Sequence, residues 1–325
     1  MSKALGLLSG GLDSTLAALC LKRQGIEVTG IAFVTPFFGA GKARRSAEQI
    51  GIPLLVQEIG DVHLEMVKQP RYGYGKNMNP CIDCHAMMFR IAGEIMAAQG
   101  FDFLFSGEVL GQRPMSQNLS ALQAVAKHSD QADRILRPLS ARLLPETRME
   151  ASGMVDRQQL LDIQGRTRRR QEALAKEWEL TDYPASGGGC LLTEKHFSDR
   201  LRDLVTHEPA CTTRDVELLK TGRQFRLSPQ ARLAVGRNQQ DNEALRQLAG
   251  SRDLLLRCIG FGGPLGVLSG TPGEDDIAMA AAIIAGYGKG SGEESVEVLV
   301  IKPGHEEGNI RVAPCPLERS REWLL

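Results

Sequence analysis

The chain has 325 residues, 42% of them hydrophobic, which is enough for two packed domains and long for one simple core. Its 39 basic and 39 acidic residues cancel, which excludes a chain-wide attraction to nucleic acid or membrane and makes any basic footprint local. Seven cysteines, an odd number scattered through this length, exclude the disulfide framework of a small secreted domain and read as thiols or ligands.

At the N-terminus, glycines interrupt the run MSKALGLLSGGLDS before it can form a signal-peptide core. No later stretch supplies the roughly 18 unbroken apolar residues of a membrane helix, so a soluble cytoplasmic protein with no membrane partner is expected. Residues 3–8 form a short apolar run ending in a Gly-rich loop, and residues 14–23 carry apolar side chains at helical spacing, which predicts strand, loop and helix. The pattern repeats with strands over 27–34, 53–58 and 101–105 and helices over 42–50 and 83–99. This alternation predicts an α/β domain whose parallel sheet is covered by helices on both faces. Ligands of such sheets bind beyond the carboxyl ends of the strands, where Ser9 and Ser106 both fall.

Residues 158–180 read as one polar helix, and residues 183–189 are rich in Pro, Ser and Gly. The expected division is an α/β domain over 1–182, a linker over 183–210 that includes Cys190, and a smaller α+β domain over 211–325. In the last of these, short strands are predicted at 225–228, 232–236, 254–258, 265–268, 296–301 and 309–312, with one helix at 274–285.

The hexad Ser9-Gly10-Gly11-Leu12-Asp13-Ser14 lies between the first strand and the first helix. Two adjacent glycines let backbone N–H groups approach phosphate oxygens, and the helix N-terminus adds the positive end of its dipole. The hydroxyls of Ser9 and Ser14 can donate to the same phosphates, and Asp13 can hold Mg2+ against them. An ordinary turn capped by Asp13 or Ser14 is the plainer alternative. No Gly-Lys-Ser/Thr follows, so this is not a Walker loop.

The hexad resembles the pyrophosphatase loop of the PP-loop ATPases, the superfamily that includes adenylating amidotransferases, tRNA lysidine synthetase and tRNA thiolation enzymes. The resemblance implies an adenine nucleotide alpha hydrolase-like fold that binds ATP and Mg2+ and releases pyrophosphate, with Asp13 catalytic. Within that superfamily, Ser106-Gly107-Glu108-Val109-Leu110-Gly111-Gln112 with Ser116-Gln117 resembles the second signature of tRNA 4-thiouridine synthase. It implies that Ser106 and Gly107 hold nucleotide or substrate opposite the first motif.

A second chemical signal is Asn79-Pro80-Cys81-Ile82-Asp83-Cys84, joined much later by Gly187-Gly188-Gly189-Cys190. Two cysteines three apart at the start of a helix can point their sulfurs at one centre, where the helix dipole lowers thiolate pKa, and a third on a glycine loop can complete a triangle. A redox disulfide, a tetrahedral zinc site needing a further ligand such as His85, and a 4Fe-4S cluster with one iron free of protein ligand are all compatible with these residues.

The same constellation resembles tRNA 2-thiouridylases. The resemblance makes Cys81, Cys84 and Cys190 sulfur-handling residues, either as cluster ligands or with Cys190 as a persulfide. It also implies tRNA as substrate and a sulfur donor such as a cysteine desulfurase, sulfide or a sulfur carrier. Cys20, Cys211, Cys258 and Cys315 lack such context and are expected to be structural, and the six histidines show no metal-binding spacing. Two departures stand out. A 4-thiouridine synthase normally carries a ferredoxin-like and RNA-binding extension ahead of its loop, which begins here at residue 9, and the C-terminal part does not read as the β-barrel of a thiouridylase. Instead, Val235-Gly236-Arg237-Asn238 through Asp241-Asn242 resembles the RNA-binding domain of ribosome-quality-control proteins of the fibronectin-binding-like class.

Arg166, Arg168, Arg169 and Arg170, with Lys176, are expected to bind RNA phosphates along one helix, a solvated face being the alternative. Aromatic residues make up only 5% of the chain, which favours shape and phosphate contacts over base stacking. The expected activity is ATP-dependent thiolation of a tRNA uridine. Its rivals are a PP-loop ligase or sulfurtransferase acting on a small molecule and a nucleotide-sensing protein that binds RNA or ribosomes.

Overall fold

The computed structural model describes residues 2–185, 189–302 and 308–325. It divides into two units, Met1–Thr193 and Glu194–Leu325. In the first, the apolar runs become strands β1 (Lys3–Leu7), β2 (Glu27–Val34), β3 (Leu54–Glu58), β4 (Phe103–Ser106) and β5 (Ile135–Leu136). They pair in parallel in the order β3-β2-β1-β4-β5. The helices of this unit are α1 (Leu12–Lys22), α2 (Gly41–Ile50), α3 (Gly60–Lys68), α4 (Cys81–Gln99), α5 (Leu119–His128), α6 (Arg148–Ala151) and α7 (Arg169–Glu177).

Successive residues of a strand face opposite sides, and here both sides are core. Ala4, Phe103 and Phe105 pack with Leu16 and Leu21 of α1 and Ala175 of α7, whereas Leu5 and Leu104 pack with Phe89 and Met96 of α4 and Val125 of α5. Each fully buried Leu, Phe, Val or Met among these contributes about 1.5–3 kcal/mol relative to exposure. The chain lays β2 and β3 on one side of β1, then crosses to lay β4 and β5 on the other. The strand order therefore reverses between β1 and β4, the place where open α/β sheets leave a crevice at their carboxyl ends.

The polar helix expected over 158–180 is reduced to α7. Ahead of it the backbone bonds elsewhere: Leu161 N donates to Pro138 O at 2.9 Å, Ile163 N donates to Leu139 O at 2.8 Å, and Gly165 turns with a φ of +84°. These tertiary bonds outweigh helix propensity, so Arg166 precedes the helix and Arg168 is its N-cap.

The second unit begins with α8 (Lys195–His207), within the stretch expected as linker, followed by α9 (Thr213–Leu219). Strands β6 (Arg223–Ser228) and β7 (Ala231–Val235) lead into α10 (Gln239–Leu248), a helix not expected from the sequence. β8 (Leu254–Cys258), β9 (Gly266–Gly270), α11 (Glu274–Gly286), β10 (Val296–Ile301), β11 (Gly308–Val312) and α12 (Leu317–Ser320) complete the unit. Its antiparallel sheet has the order β11-β10-β8-β9-β7-β6. Leu233 and Val235 pack with Ala281 and Ile284 of α11, while Ala234 between them packs with Leu218 of α9 and Leu245 of α10, so both sheet faces are covered.

Candidate active site

The hexad occupies the carboxyl end of β1. Gly10 has a φ of +72°, and a Cβ at this position would lie 2.2 Å from the carbonyl carbon of Lys42, so only glycine lets the loop turn this closely against the start of α2. Gly11 is the N-cap of α1 and supplies no capping side chain. The first-turn N–H groups are thus not consumed by a cap, which is the arrangement that receives an anion. The Ser14 hydroxyl donates to Gly11 O at 2.9 Å, Gly11 N donates to Ser9 Oγ at 3.3 Å, and the two serine hydroxyls lie 3.1 Å apart. The loop is therefore held by its own hydroxyls before any ligand binds.

Asp13 stands in the first turn of α1. Its Oδ2 accepts from Gln112 Nε2 at 3.1 Å, whereas its Oδ1 is buried with no hydrogen-bond partner among the described residues. A buried carboxylate oxygen left without a donor is costly, and a hard cation satisfies it. The donor chemistry here fits Mg2+ beside a phosphate-binding loop.

The second motif meets the first through Gly107. A Cβ on Gly107 would lie 2.4 Å from Ser14 N, so the missing side chain is what brings the turn after β4 against the start of α1. Ser106 is turned into the protein: its hydroxyl donates to Glu108 Oε2 at 3.1 Å and accepts from Glu108 N at 3.3 Å. Glu108 is the hub of a network that the sequence reading missed. Its Oε1 lies 2.7 Å from His85 Nδ1, and its Oε2 accepts from Arg137 Nε at 2.9 Å. Burial pushes the Glu108 carboxyl up, but the Arg137 guanidinium and the His85 hydrogen bond more than offset this and hold it at about 2. The ionised carboxylate fixes the imidazole that follows Cys84 in the first turns of α4.

Cys81 opens α4 and Cys84 follows one turn later. Asn79 Nδ2 donates to Cys81 Sγ at 3.3 Å, and Cys84 Sγ lies 3.2 Å from Nε2 of the buried His63. Phe37 and Phe38 flank His63 at ring-centroid distances of 5.5 and 5.4 Å. Burial pushes His63 down to about 4, so the imidazole is neutral at pH 7. The expectation that the helix dipole lowers both thiols is corrected for Cys84. Burial raises its pKa well above the ordinary thiol value, and the neighbouring Cys190, Cys81 and Asp83 raise it further. Desolvation outweighs the dipole, and Cys84 is a thiol at neutral pH.

Cys190 and Cys81 both act electrostatically on Cys84. The segment carrying Cys190 is held by Leu191 N donating to Phe37 O at 3.1 Å and by Asn77 Nδ2 donating to Thr193 O at 2.6 Å. Gly187 and Gly188 of this motif lie outside the described residues, as does His305. Among the described residues no group of three or more His, Cys, Asp and Glu side chains stands in a metal-holding arrangement.

The arginine run is divided. Arg166 and Arg169 are exposed, Arg168 is half-buried, and Arg170 donates to Asp162 Oδ1 at 2.6 Å in an exposed ion pair. In the second unit the segment 235–242 builds the entry to α10. Asn238 caps the helix by accepting from Asp241 N at 2.8 Å, Asn242 Oδ1 accepts from Leu265 N at 2.9 Å, and Arg237 Nε donates to Asp241 Oδ2 at 2.7 Å.

Residues 1–142 match the family model described as thiamine biosynthesis protein (ThiI), and residues 222–324 match the NFACT protein RNA binding domain. With the five-stranded parallel sheet and the loop at its strand-order reversal, the first match decides the class of the N-terminal unit. It is a PP-loop domain. Its PP-loop relatives include the tRNA-specific 2-thiouridylase MnmA of Thermus thermophilus, 29% identical over 157 residues that cover 40% of this chain and 41% of the relative. MnmA of Acidothermus cellulolyticus is 26% identical over 226 residues, covering 64% of this chain and 59% of the relative. The chain thus spans less than two thirds of the length of these relatives. Among solved structures, a 4-thiouridine synthetase–RNA complex with bound ATP aligns over 66% of this chain and 53% of that one, with a TM-score of 0.39 and 21% identity.

Proposed function

We propose that the chain is an ATP-dependent tRNA uridine thiolation enzyme of the cytoplasm. The observation that carries this reading is the buried Oδ1 of Asp13, without a donor among the described residues, beside Gly10 and Gly11 at the carboxyl end of the central strand. The N–H groups of the loop and of the α1 first turn receive the pyrophosphate portion of ATP, with the Ser9 hydroxyl donating to it and Ser14 doing so on releasing Gly11 O. Asp13 would hold Mg2+, which would supply charge neutralisation of the leaving pyrophosphate. A carbonyl oxygen of the uridine attacks the α-phosphorus, and the bond from that phosphorus to pyrophosphate breaks. Sulfur then attacks the activated carbon, and the carbon–oxygen bond breaks to release AMP.

Cys81, Cys84 and Cys190 are the sulfur-handling residues of this reading, and would either hold a 4Fe-4S cluster or, through Cys190, carry the sulfur as a persulfide. When bound, such a cluster offers an iron without a protein ligand to sulfide. The donor is a cysteine desulfurase, sulfide or a sulfur carrier.

The test combines anaerobically purified protein, ATP, tRNA and sulfide. Pyrophosphate, AMP and a thiolated uridine should appear together, and Cys190→Ala should abolish the thiolated nucleoside while pyrophosphate release persists. Iron and acid-labile sulfide should be present in the wild type and absent from Cys81→Ala. Zinc without sulfide would replace the cluster with a structural metal, and thiolation in iron-free protein that is supported by a cysteine desulfurase with cysteine but not by sulfide, and lost in Cys190→Ala, would assign a persulfide to Cys190. Pyrophosphate release stimulated by a small acid and indifferent to tRNA would sink the tRNA reading in favour of a small-molecule ligase. Nucleotide binding without turnover would make the loop a sensor.

For RNA contact, the exposed Arg166 and Arg169 are the effective members of the basic run. Replacing both with Ala should weaken tRNA binding uniformly across sequences and reduce the salt dependence by about one phosphate contact each. An unchanged salt slope would return these residues to a solvated face.

A further inference from the structure

The connection between α3 and α4, residues 69–80, contains two of the chain's four tyrosines together with Arg71 and Lys76, and no acidic residue. Tyr72 and Tyr74 are 43% and 39% exposed. The segment is nevertheless tied down. Asp83, in the first turn of α4 between Cys81 and Cys84, accepts the backbone N–H groups of Arg71 at 3.2 Å and of Tyr72 at 3.0 Å. The Tyr74 hydroxyl donates to Val67 O at 2.7 Å, which anchors its ring at the end of α3. Tyr72 lies against His128 of α5, with ring centroids 5.4 Å apart, and Arg71 NH1 is 3.1 Å from His128 Nδ1.

These contacts make a fixed shelf of exposed rings and cationic groups on the same helical turn as Cys81 and Cys84. Asp83 binds the segment through backbone N–H groups, and against its one negative charge the segment carries two cations, Arg71 and Lys76. Loops of this length without secondary structure are commonly functional, and exposed aromatic rings set among cations are the means by which proteins hold unpaired nucleotides. A base stacks on a ring whatever its identity, and a guanidinium or ammonium beside the ring meets the phosphate. The low aromatic content of the chain as a whole disfavours stacking on average, but the tyrosines are concentrated where a base would have to arrive.

We infer that residues 71–76 with His128 form a stacking platform for single-stranded RNA, with Tyr72 and Tyr74 holding unpaired bases and Arg71 and Lys76 meeting the phosphates beside the sulfur-handling cysteines. The inference rests on the tRNA reading above for the identity of the substrate. Its consequence is selectivity: a nucleotide in a loop or bulge can reach the platform, whereas one in a helix must first be unstacked, at a cost of a few kcal/mol.

The test uses the full chain without ATP or sulfide, so that it reads the platform separately from turnover. Binding of a short unstructured oligoribonucleotide carrying 5-iodouridine is measured and its photocrosslinks are mapped. Tyr72→Ala should weaken binding on the order of ten-fold, and Tyr72→Trp should restore it, because the ring face is what matters. Crosslinks should fall on Tyr72 or Tyr74, persist in the presence of a fully duplex competitor of the same sequence and vanish with an unlabelled single-stranded one, while Tyr72→Ala should leave any crosslinks within residues 194–325 unaffected. Tyr72 is exposed and its hydroxyl has no role in this account, so the variant should keep the wild-type circular dichroism. Affinity of Tyr72→Ala within about two-fold of wild type, with crosslinks confined to residues 194–325, would overturn the platform. A protein ligand protecting Tyr72 from modification while RNA does not would overturn it equally. Loss of the platform with tRNA-dependent pyrophosphate release intact would leave the thiolation reading standing, and the reverse outcome would leave RNA binding standing without that chemistry.

Discussion

Asp13→Ala is expected to lower pyrophosphate release by on the order of 10²–10³-fold while the protein remains folded. Two facts separate the catalytic loss from a structural one. The N-cap of α1 is Gly11, so removing the Asp13 carboxylate takes no cap from the helix. What the helix loses is one favourable charge in its first turn, worth about 0.3–1 kcal/mol. Against that, the change deletes the buried oxygen that has no donor among the described residues and the acceptor of Gln112 Nε2. A carboxylate oxygen without a partner among the described residues, in the first turn after a phosphate-binding loop, suits the cation of a ligand-bound state. Asp13→Asn keeps the shape and a carbonyl acceptor for Gln112 but has no charge for a cation, so it should be nearly as inactive as the Ala variant. The measurement is pyrophosphate release across a Mg2+ titration, with the thermal midpoint recorded for each variant. Turnover at the wild-type rate in both variants would remove Asp13 from the mechanism.

Legibility in the sequence followed the range of the interactions involved. The β1–loop–α1 unit was readable because its signals are local: an apolar run, two glycines and a helical repeat within 22 residues of the N-terminus. Strand alternation carried the parallel sheet for the same reason. Cys81 and Cys84 announced themselves by spacing on one helix, whereas Cys190, more than 100 residues on, was joined to them only by its glycine loop and by a family resemblance.

What stayed hidden are contacts between residues far apart in the chain. His63 and Cys84 are 21 positions apart, and Glu108 and Arg137 are 29 apart. No periodicity links such pairs, and a lone His or a buried Arg carries no local mark of its partner. The 158–180 misreading has the opposite cause. Its composition is helix-compatible throughout, but backbone bonds to residues 138 and 139 capture its first half. α10 escaped because only Asp241 and Leu245 of it are buried, too few apolar positions to show a period.

The largest expected effect on stability comes from Glu108→Gln. The carboxylate is 3% exposed and Arg137 is 8% exposed, so the pair is buried on both sides. Glutamine fills the same space yet leaves the Arg137 guanidinium without its counter-charge, and breaking a buried pair from one side costs about 3–5 kcal/mol. The companion double variant, Glu108→Gln with Arg137→Met, should recover much of that loss, because no uncompensated charge remains.

The pH dependence provides an independent check of sign. The Glu108 pKa is about 2 in the folded chain against 4.5 for the free side chain. A carboxyl whose folded value is depressed contributes stability that is fully present above its unfolded value and lost as pH falls through the folded one. A difference of this size corresponds to roughly 3 kcal/mol. Wild-type protein should therefore lose this stability progressively from about pH 4.5 toward pH 2, whereas Glu108→Gln has none of it to lose, and the two should converge in acid. Urea unfolding at pH 7 and near pH 3 measures this. Trp178 packs against the core of the first unit, so the fluorescence of a Trp323→Phe background follows that unit alone, the chain having two tryptophans. A stability gap between wild type and Glu108→Gln that stays constant across this range would mean that the Glu108 charge is not what holds Arg137, and that the hydrogen bonds with Ser106 and His85 hold the network instead.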